Sequence, residues 1–303
     1  LGGCPVRFDT DRFPTETQLA LEQDARGERF ALIQNGESID LGAIGAVWYR
    51  RVRAGNQLPA DMGLDLRNMA LAEIDATIRG LLAALPCFIL DPPAVIRRAD
   101  SKILQLQTAR AAGLDTPPTL VTNDPSRLRA FAHGFPGGIV AKMASSFAVR
   151  SEGHEMVVFT TAVGAQDLEN LEGLELSPMM FQERVPKALE LRATVVGDRV
   201  FTAAIDSQAS PRARDDWRMD GLALVDSWTR YELPRSVEER LLAVAERLGL
   251  NYGAADLILT PDDRHVFLEI NPAGEYFWLE NRPGLPISRA IAEVLLGLAR
   301  RRT

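Results

Sequence analysis

The segment at residues 266–275, Val-Phe-Leu-Glu-Ile-Asn-Pro-Ala-Gly-Glu, constrains the fold of this chain more than any other stretch. It has the pattern of an apolar strand that ends with Glu269 and Asn271 two positions apart. Alternation along a strand places both side chains on one face. Upstream, residues 252–259 form a second apolar run that contains Asp256. The pattern predicts an antiparallel hairpin with three oxygen-bearing side chains on one face.

Two interpretations of this hairpin stay open on its own sequence. Two carboxylates and an amide are the kind of oxygen set that Mg²⁺ prefers, and Mg²⁺ usually arrives with substrate phosphates. The first interpretation is therefore a nucleotide-metal site formed by Asp256, Glu269 and Asn271. The second is a solvated hairpin with an ordinary Asn-Pro turn.

Composition limits the class of protein. The chain has 303 residues, 46% apolar and 25% charged, which is enough for two or three subdomains with their own cores. A net charge of -7 argues against nucleic acid as the main partner, because phosphate-backbone binding needs a concentrated basic surface. No apolar run predicts a membrane span, and no signal peptide is visible. Cys4 and Cys87 fit no metal or redox spacing, so we expect a cytoplasmic protein without disulfides.

The first third of the chain predicts an N-terminal α/β domain at residues 1–98. The chain begins at Leu1 without an initiator Met, and we infer that one strand and one helix precede it. Strands are predicted at 6–9, 29–33, 38–41, 46–50 and 87–90, with a helix near 64–85. Asn35-Gly36 predicts a hairpin turn. Strands that alternate with helices favour a mostly parallel sheet.

Two further domains follow, at residues 99–185 and 186–303. The first is predicted to contain helices at 100–112, after residue 124 and at 166–171, with strands at 116–123, 138–143, 156–160 and 179–185. The second is predicted to contain strands at 189–196 and 200–206, a helix at 237–248, the hairpin, and a closing helix at 287–302. The chain as a whole is thus expected to be α/β, with α+β subdomains.

Several polar residues stand where a nucleotide would need them. Lys142 interrupts an apolar strand and must be solvated, paired or in contact with a ligand. Lys102 opens a helix and is either a phosphate ligand or a plain exposed residue. Gln182-Glu-Arg-Val185 ends a strand before Pro186 and either binds a planar base through its backbone or simply connects two domains. Glu190 follows and is a candidate to bind ribose hydroxyls.

The order of these features over residues 99–303 resembles the ATP-grasp ligases. Within that superfamily, the chain is similar to the ribosomal-peptide maturases that make microviridin-type ω-ester and ω-amide peptides, the graspetide synthetases. The segments that carry the narrower resemblance are Val47-Trp-Tyr-Arg-Arg51, Arg97-Arg98 with Lys102, residues 181–192, Ala204-Ile-Asp-Ser-Gln208, Asp216-Trp-Arg218 and residues 268–275. One departure is that Met143-Ala-Ser-Ser-Phe147 stands where the wider superfamily has a Gly-rich loop.

The resemblance implies an ATP-grasp fold with an N-terminal pre-ATP-grasp domain, a central lid domain at 99–185 and a C-terminal domain with the Mg-ATP site. ATP and Mg²⁺ would be the cofactors. The implied nucleotide ligands are Lys102 and Lys142 for the phosphates, Gln182, Glu183 and Val185 for adenine, and Glu190 for ribose. The implied metal ligands are Asp256, Glu269 and Asn271, the last of which would also contact the nucleotide.

The resemblance also implies a cyclisation reaction on a ribosomal precursor peptide with leader and core. A peptide Asp or Glu carboxylate would attack the γ-phosphate, and a Thr, Ser or Lys side chain of the same peptide would displace phosphate from the acyl phosphate. We assign Arg192 to the phosphoryl oxygens, and Arg214 and Arg218 to the peptide carboxylate. Asp216 would either accept the nucleophile's proton or form a structural ion pair with a neighbouring Arg.

Two rival functions remain on the sequence. One is an ATP-grasp ligase that adds a free amino acid to a protein or small-molecule carboxylate. The other is a nucleotide-binding module without enzymatic activity. We expect a homodimer, with neither nucleic acid nor a membrane as a partner.

Overall fold

The computed structural model describes residues 1–25, 27–143, 148–151, 154–157 and 159–302, with the backbone alone at 148–151 and 154–157. These residues divide into two compact units. Unit 1 comprises residues 1–96 and 290–301, and unit 2 comprises residues 97–289 with Arg302. Residues 144–147, which replace a Gly-rich loop, lie outside the described residues, as does Val158 in the strand expected at 156–160. No helix in the described ranges is long and apolar enough to cross a membrane.

Unit 1 contains two small sheets and one long helix. Its elements are β1 (Gln18–Asp24), β2 (Gly27–Gln34), β3 (Glu37–Asp40), β4 (Ala46–Trp48), α1 (Leu64–Ala84) and β5 (Phe88–Leu90). Strands β1, β2 and β3 form an antiparallel sheet in that order, whereas β4 and β5 pair in parallel. Asn35 and Gly36 both have positive φ between β2 and β3, so the predicted hairpin is confirmed.

The core of unit 1 is built on one face of α1. Ile74, Ile78, Leu81 and Leu82 are buried at helical spacing and pack against the strands. The mixed organisation is as predicted, but the mostly parallel sheet is wrong, because three of the five strands form an antiparallel meander. The strand expected at residues 6–9 is also wrong. Phe8 buries its ring near Phe13, at 5.8 Å between centroids, instead of joining a sheet.

The first half of unit 2 contains a four-stranded antiparallel sheet. After α2 (Pro93–Ala99), in which unit 2 begins at Arg97, the elements are α3 (Lys102–Ala111), β6 (Thr119–Thr122), α4 (Pro125–His133), β7 (Ile139–Lys142), β8 (Ala148–Ser151), β9 (His154–Val157), β10 (Thr161–Val163), α5 (Ala165–Glu169) and β11 (Met179–Glu183). The sheet order is β10, β7, β11, β6, and β8 pairs with β9. Asp124 caps α4, because its side chain accepts from Ser126 N.

The second half of unit 2 contains a five-stranded antiparallel sheet. Its elements are β12 (Leu189–Val196), β13 (Arg199–Ile205), α6 (Gly221–Leu224), β14 (Thr229–Arg230), α7 (Arg235–Leu248), β15 (Tyr252–Leu259), β16 (His265–Asn271) and α8 (Phe277–Asn281). Helix α9 (Ile287–Leu295) follows, and its residues from 290 onward belong to unit 1. The order is β14, β13, β12, β15, β16, so the predicted hairpin of β15 and β16 forms one edge of the sheet.

The closing helix α9 is shorter than the predicted span of 287–302. It ends at Leu295, and Gly297 follows with a φ of 70°. Arg301 donates from Nε to Val294 O and from Nη2 to Leu295 O, which satisfies carbonyls that the helix end leaves open. The sequence pattern could not reveal this side-chain cap. The chain then reaches Arg302, which belongs to unit 2.

Candidate active site

Three charged residues lie side by side on one face of the five-stranded sheet. Arg192 on β12 is the direct cross-strand partner of Asp256 on β15, and Asp256 pairs with Glu269 on β16. Arg192 Nη1 donates to Asp256 Oδ1 at 2.8 Å. Arg192 and Asp256 carry opposite charges and stabilise each other, whereas Asp256 and Glu269 carry like charges, which favours a cation near both carboxylates. The structure therefore brings together three residues that the sequence assigned to one site.

The next row on the same face is mostly apolar. Glu190 pairs with Ile258, which pairs with Val266. The register of β15 and β16 shifts after Asp256, so that β16 carries Leu268 as an extra residue. Val185, Ile258 and Val266 pack together with Leu268 against them. The face thus changes from apolar to charged along the strands, with Glu190 beside the apolar part.

Glu269 also faces helix α3. Lys102, the first residue of that helix, places Nζ 2.8 Å from Glu269 Oε2, and each side chain is 19% exposed. Burial alone would raise the pKa of Glu269, but Lys102 and Lys142 outweigh it and hold this pKa well below its usual value. Glu269 is therefore an anion at neutral pH, as a metal ligand must be.

Lys142 is the last residue of β7 and is half-buried. Burial lowers the pKa of this side chain, Glu269 raises it, and Lys102 and Lys187 lower it. Lys102 and Lys142 thus both act on Glu269. A cluster of cations that share one carboxylate suits a polyanionic ligand such as a nucleotide phosphate chain.

Glu190 is engaged by Lys187, a residue to which the sequence gave no role. Lys187 Nζ donates to Glu190 Oε1 at 2.9 Å and to Asp215 O at 2.8 Å, and the two side chains are only 10% and 11% exposed. Burial raises the pKa of Glu190, and Lys187 opposes this effect. The available signal was a Lys three positions before an acidic residue that enters an apolar strand.

The residues expected to bind adenine lie at the end of β11 and differ in their surroundings. Gln182 is 2% exposed and donates from Nε2 to Thr119 Oγ1 at 3.1 Å. Its Oε1 is buried without a partner among the described residues. Glu183 and Val185 line a cavity of about 200 Å³ together with Val266. This cavity borders the apolar part of the sheet face.

Asp216 and Arg218 form a two-pronged ion pair in the loop between β13 and β14. Arg218 donates from Nε to Asp216 Oδ1 at 2.8 Å and from Nη2 to Oδ2 at 2.6 Å. The backbone nitrogens of Arg218 and Thr160 donate to the same carboxylate. Burial would raise the pKa of Asp216, but the bonds from Arg218 lower it. An ionised carboxylate with four donors is a weak base, which favours the ion-pair alternative.

Arg214 lies in the same loop and is exposed. Its carbonyl accepts from Gln208 Nε2 at 3.1 Å, and its guanidinium makes no ion pair or hydrogen bond within the described ranges. The structure therefore places Arg214 near Asp216 along the chain but engages it in no contact of the charged cluster.

Asn271 shows the Asn-Pro turn that the sequence offered as an alternative. It is exposed, and its Oδ1 accepts from Ala273 N at 2.9 Å. It follows Glu269 by two positions on β16, so the two side chains share a face. Among the described residues, no group of three or more His, Cys, Asp or Glu is placed to hold a metal. Asp256, Glu269 and Asn271 nevertheless form an all-oxygen donor set that fits Mg²⁺ completed by water or phosphate oxygens.

Arg192 is held in place from two further sides. Its Nη2 donates to Glu275 O at 3.3 Å, and its guanidinium carbon lies 5.9 Å from the centre of the Trp278 ring. A Cβ added to Gly274 would lie 2.6 Å from Arg192 Nη2 and 2.5 Å from Ala254 Cβ. Only Gly fits this close approach. Arg192 Nε is buried and lacks an acceptor in the part of the chain that the structure describes.

This fold and this charged row, with lysines from a helix and a second sheet, define an ATP-grasp enzyme, an ATP-dependent carboxylate ligase. The MvdD pre-ATP-grasp domain family matches residues 1–97. The macrocyclase MdnC of Microcystis aeruginosa MRC, solved with precursor peptide MdnA, is 46% identical over 96% of this chain and 90% of that chain, with a TM-score of 0.86. The chain therefore belongs to the ATP-grasp peptide maturases, the graspetide synthetases.

Two further proteins are also similar to this chain. A RiPP-associated ATP-grasp ligase of Chryseobacterium gregarium, solved with ADP and a leader and core peptide, is 38% identical over 98% of this chain and 90% of that chain, with a TM-score of 0.93. A probable alpha-L-glutamate ligase of Enterobacter sp. (strain 638) is 27% identical over 67% of this chain. The chain spans 66% of the length of that ligase.

Proposed function

We propose that this protein is an ATP-dependent macrocyclase of a ribosomal precursor peptide. It joins Asp or Glu side chains of the core to Thr, Ser or Lys side chains by ester or amide bonds. The observation that carries the proposal is the row of Arg192, Asp256 and Glu269 beside two lysines. The relatives solved with precursor, leader and core peptides support a peptide substrate.

The nucleotide lies along the sheet face in the direction in which the residues change from apolar to charged. Adenine binds at the end of β11, at Gln182, Glu183 and Val185, beside the cavity that Glu183, Val185 and Val266 line. Ribose contacts Glu190, and the phosphates extend toward Lys102 and Lys142. This order of apolar, polar and cationic residues matches a nucleotide, in which an apolar base is followed by a polar sugar and an anionic phosphate chain.

Asp256, Glu269 and Asn271 are the residues that hold Mg²⁺ in this proposal. When bound, Mg²⁺ would supply positive charge that neutralises the phosphates during transfer. To hold it, Glu269 would give up part of its contact with Lys102, and Asp256 part of its contact with Arg192. The metal charge would replace these cations at the carboxylates, and Lys102 and Arg192 would be available to the phosphates.

The peptide carboxylate is oriented by Arg218, with Arg214 as a second cation. Its oxygen attacks the γ-phosphorus and ADP leaves. A hydroxyl or amine of the same peptide then attacks the acyl carbon and displaces phosphate, which accepts the proton that the nucleophile loses. Arg192 stabilises the charge on the phosphoryl oxygens. Asp216 holds the guanidinium of Arg218 in one orientation, a role that its four hydrogen bonds support better than that of a general base.

The test is incubation of the protein with ATP, Mg²⁺ and the precursor peptide encoded beside its gene. Loss of one water per linkage within one peptide chain, with ADP released, is the expected result. Addition of an amino-acid mass would instead support the free amino-acid ligase that the glutamate-ligase relatives suggest. Absence of ADP release with every candidate peptide would support a binding module.

Arg218→Ala is expected to lower kcat/KM for the peptide by about 100-fold, because a charged contact to the carboxylate is lost. Affinity for ADP should stay within about twofold, since Arg218 does not hold the nucleotide. Steady-state kinetics and calorimetry measure the two effects. Arg212→Ala, at an exposed position of the same loop, is the control and should behave as wild type. Equal losses in peptide and nucleotide affinity would contradict the assignment.

Nucleotide affinity is expected to fall as pH rises through the alkaline range. Burial lowers the pKa of Lys142, so this side chain loses its charge at a lower pH than an exposed Lys does. Lys142→Arg keeps the charge and should flatten the decline. Calorimetry of ADP binding at a series of pH values gives the comparison. The same alkaline decline in both proteins would remove Lys142 from the phosphate site.

The proposal also covers domain organisation, location and assembly. We propose three domains, at residues 1–98, 99–185 and 186–303, in a cytoplasmic homodimer. The free thiols of Cys4 and Cys87 are compatible with a reducing compartment. Exposed Leu296 and Leu298 supply apolar surface for a second copy. Light scattering that gives the mass of one chain would contradict the dimer.

A further inference from the structure

One buried side chain joins helix α3 to the outer edge of β16. Gln105 is 3% exposed. Its Oε1 accepts from Ile270 N at 3.0 Å, and its Nε2 donates to Ile270 O at 2.8 Å. The same Nε2 donates to Ala99 O at 2.7 Å. A single carboxamide therefore satisfies both backbone groups of Ile270.

Gln105 makes the hydrogen bonds to the edge of β16 that a sixth strand of the sheet would make. β16 is an edge strand, and its outward N–H and C=O groups need partners wherever they are buried. Nearer the start of β16, Phe267 N donates to the backbone carbonyl of Asp115 at 2.8 Å. At Ile270 the neighbouring element is a helix, whose backbone is already paired. A carboxamide carries a donor and an acceptor in one plane, as a peptide group does, so Gln105 pairs with the edge.

We propose that Gln105 is a positioning residue for the nucleotide-metal site. Ile270 stands between Glu269 and Asn271, so fixing its peptide groups fixes the backbone that carries both side chains. Gln105 also follows Lys102 by three positions on α3, which is one helical turn. The contact therefore sets Lys102 Nζ opposite Glu269, where the distance is 2.8 Å. This inference rests on the proposed role of Glu269 and Asn271 in binding Mg²⁺.

Packing alone does not require a Gln at this position. Helix α3 already buries Leu106 and Ala109, and its first turn is capped by Ser101. An aliphatic side chain at residue 105 would fill the space but leave the N–H and C=O of Ile270 without partners. Residues that orient metal ligands in this way typically change metal affinity by about 10- to 100-fold when they are replaced.

The test measures Mg²⁺ binding apart from turnover. Calorimetry would follow Mg²⁺-dependent ADP binding in the wild type, Gln105→Met and Gln105→Glu, with thermal unfolding recorded for each. Gln105→Met loses all three hydrogen bonds. The Mg²⁺ concentration that it needs for half-maximal ADP binding should rise by about tenfold or more. Gln105→Glu keeps an acceptor for Ile270 N but loses the bonds donated to Ile270 O and Ala99 O, so it should raise the Mg²⁺ requirement as well. Gln107→Met on the exposed side of the same helix is the control and should match wild type.

The outcomes separate this inference from the proposed function. A lower unfolding temperature with unchanged Mg²⁺ dependence in Gln105→Met would make Gln105 purely structural and overturn the inference. If Gln105→Met does not fold, Gln105→Glu decides, and unchanged Mg²⁺ dependence there overturns it equally. Wild-type protein that binds ADP without any Mg²⁺ dependence would overturn the proposed metal site itself. A raised KM for Mg-ATP at nearly constant kcat is the kinetic counterpart expected for both variants.

Discussion

Glu269→Gln is expected to lower the rate of ADP formation by about 1,000-fold or more while the chain stays folded. The substitution keeps the size of the side chain and an acceptor for Lys102, but it removes the negative charge. The lysines that share this carboxylate then repel one another, and the proposed metal ligand becomes neutral. A coupled ADP assay with saturating peptide measures the rate. Glu172→Gln, at an exposed loop position, is the matched control.

Acid unfolding gives an independent measure of the same charge. The pKa of Glu269 is lower in the folded state than in the unfolded chain, so its ionised form stabilises the fold above its ordinary pKa. That contribution is lost as pH falls through the folded pKa. Glu269→Gln should therefore be less stable than wild type near neutral pH and approach it in acid. A stability difference that is the same at every pH would contradict the role of this charge, and near-normal turnover would remove Glu269 from the metal site.

Gly274→Ala is expected to reduce turnover by about 100-fold and to lower the free energy of unfolding by about 1–3 kcal/mol. The added methyl group would lie 2.5 Å from Ala254 Cβ and 2.6 Å from Arg192 Nη2. Ala254 lies in the sheet and cannot yield, so the turn after β16 or the guanidinium of Arg192 must move. Arg192 would then lose its alignment with the phosphoryl oxygens.

Kinetics and denaturant unfolding of Gly274→Ala test both parts of this expectation. Gly137→Ala is the matched control, because a Cβ there meets nothing within 4 Å and its φ is not positive. The control should retain wild-type rates and stability. Wild-type turnover in Gly274→Ala would show that the close packing around Arg192 is not needed for the reaction.

The oxygen-bearing residues of the hairpin could be predicted because their placement depends on alternation within strands. Glu269, Asn271 and Asp256 occupy alternate positions of two apolar runs joined by a short turn, so local pattern and pairing agree. The register shift after Asp256 was not predictable, because a bulge depends on how β16 packs against its neighbours. Gln105 was missed for a similar reason: it contacts Ile270, 165 residues further along the chain.

Local hydrogen bonds favour one alternative at two positions without testing the role of either residue. Asn271 caps a turn and Asp216 pairs with Arg218. Asn271 nevertheless lies two positions from Glu269, and Arg218 interacts with both Asp256 and Glu269. Lys187 was overlooked because its partners, Glu190 and the carbonyl of Asp215, lie on separate elements. The short strand at 6–9 failed because one buried aromatic ring explains its pattern as well as a sheet does.

The path of the chain between the two units restricts how this protein can be divided into fragments. Residues 290–301 belong to unit 1, whereas the segment before them and Arg302 after them belong to unit 2. Arg302 donates to Glu246 Oε2, Leu250 O and Gly197 O, and its backbone pairs with Asn251. A cut after residue 97, where the family match ends, would deprive unit 1 of its last segment. Expression of unit 1 alone therefore requires residues 290–301 to be fused to it by a linker.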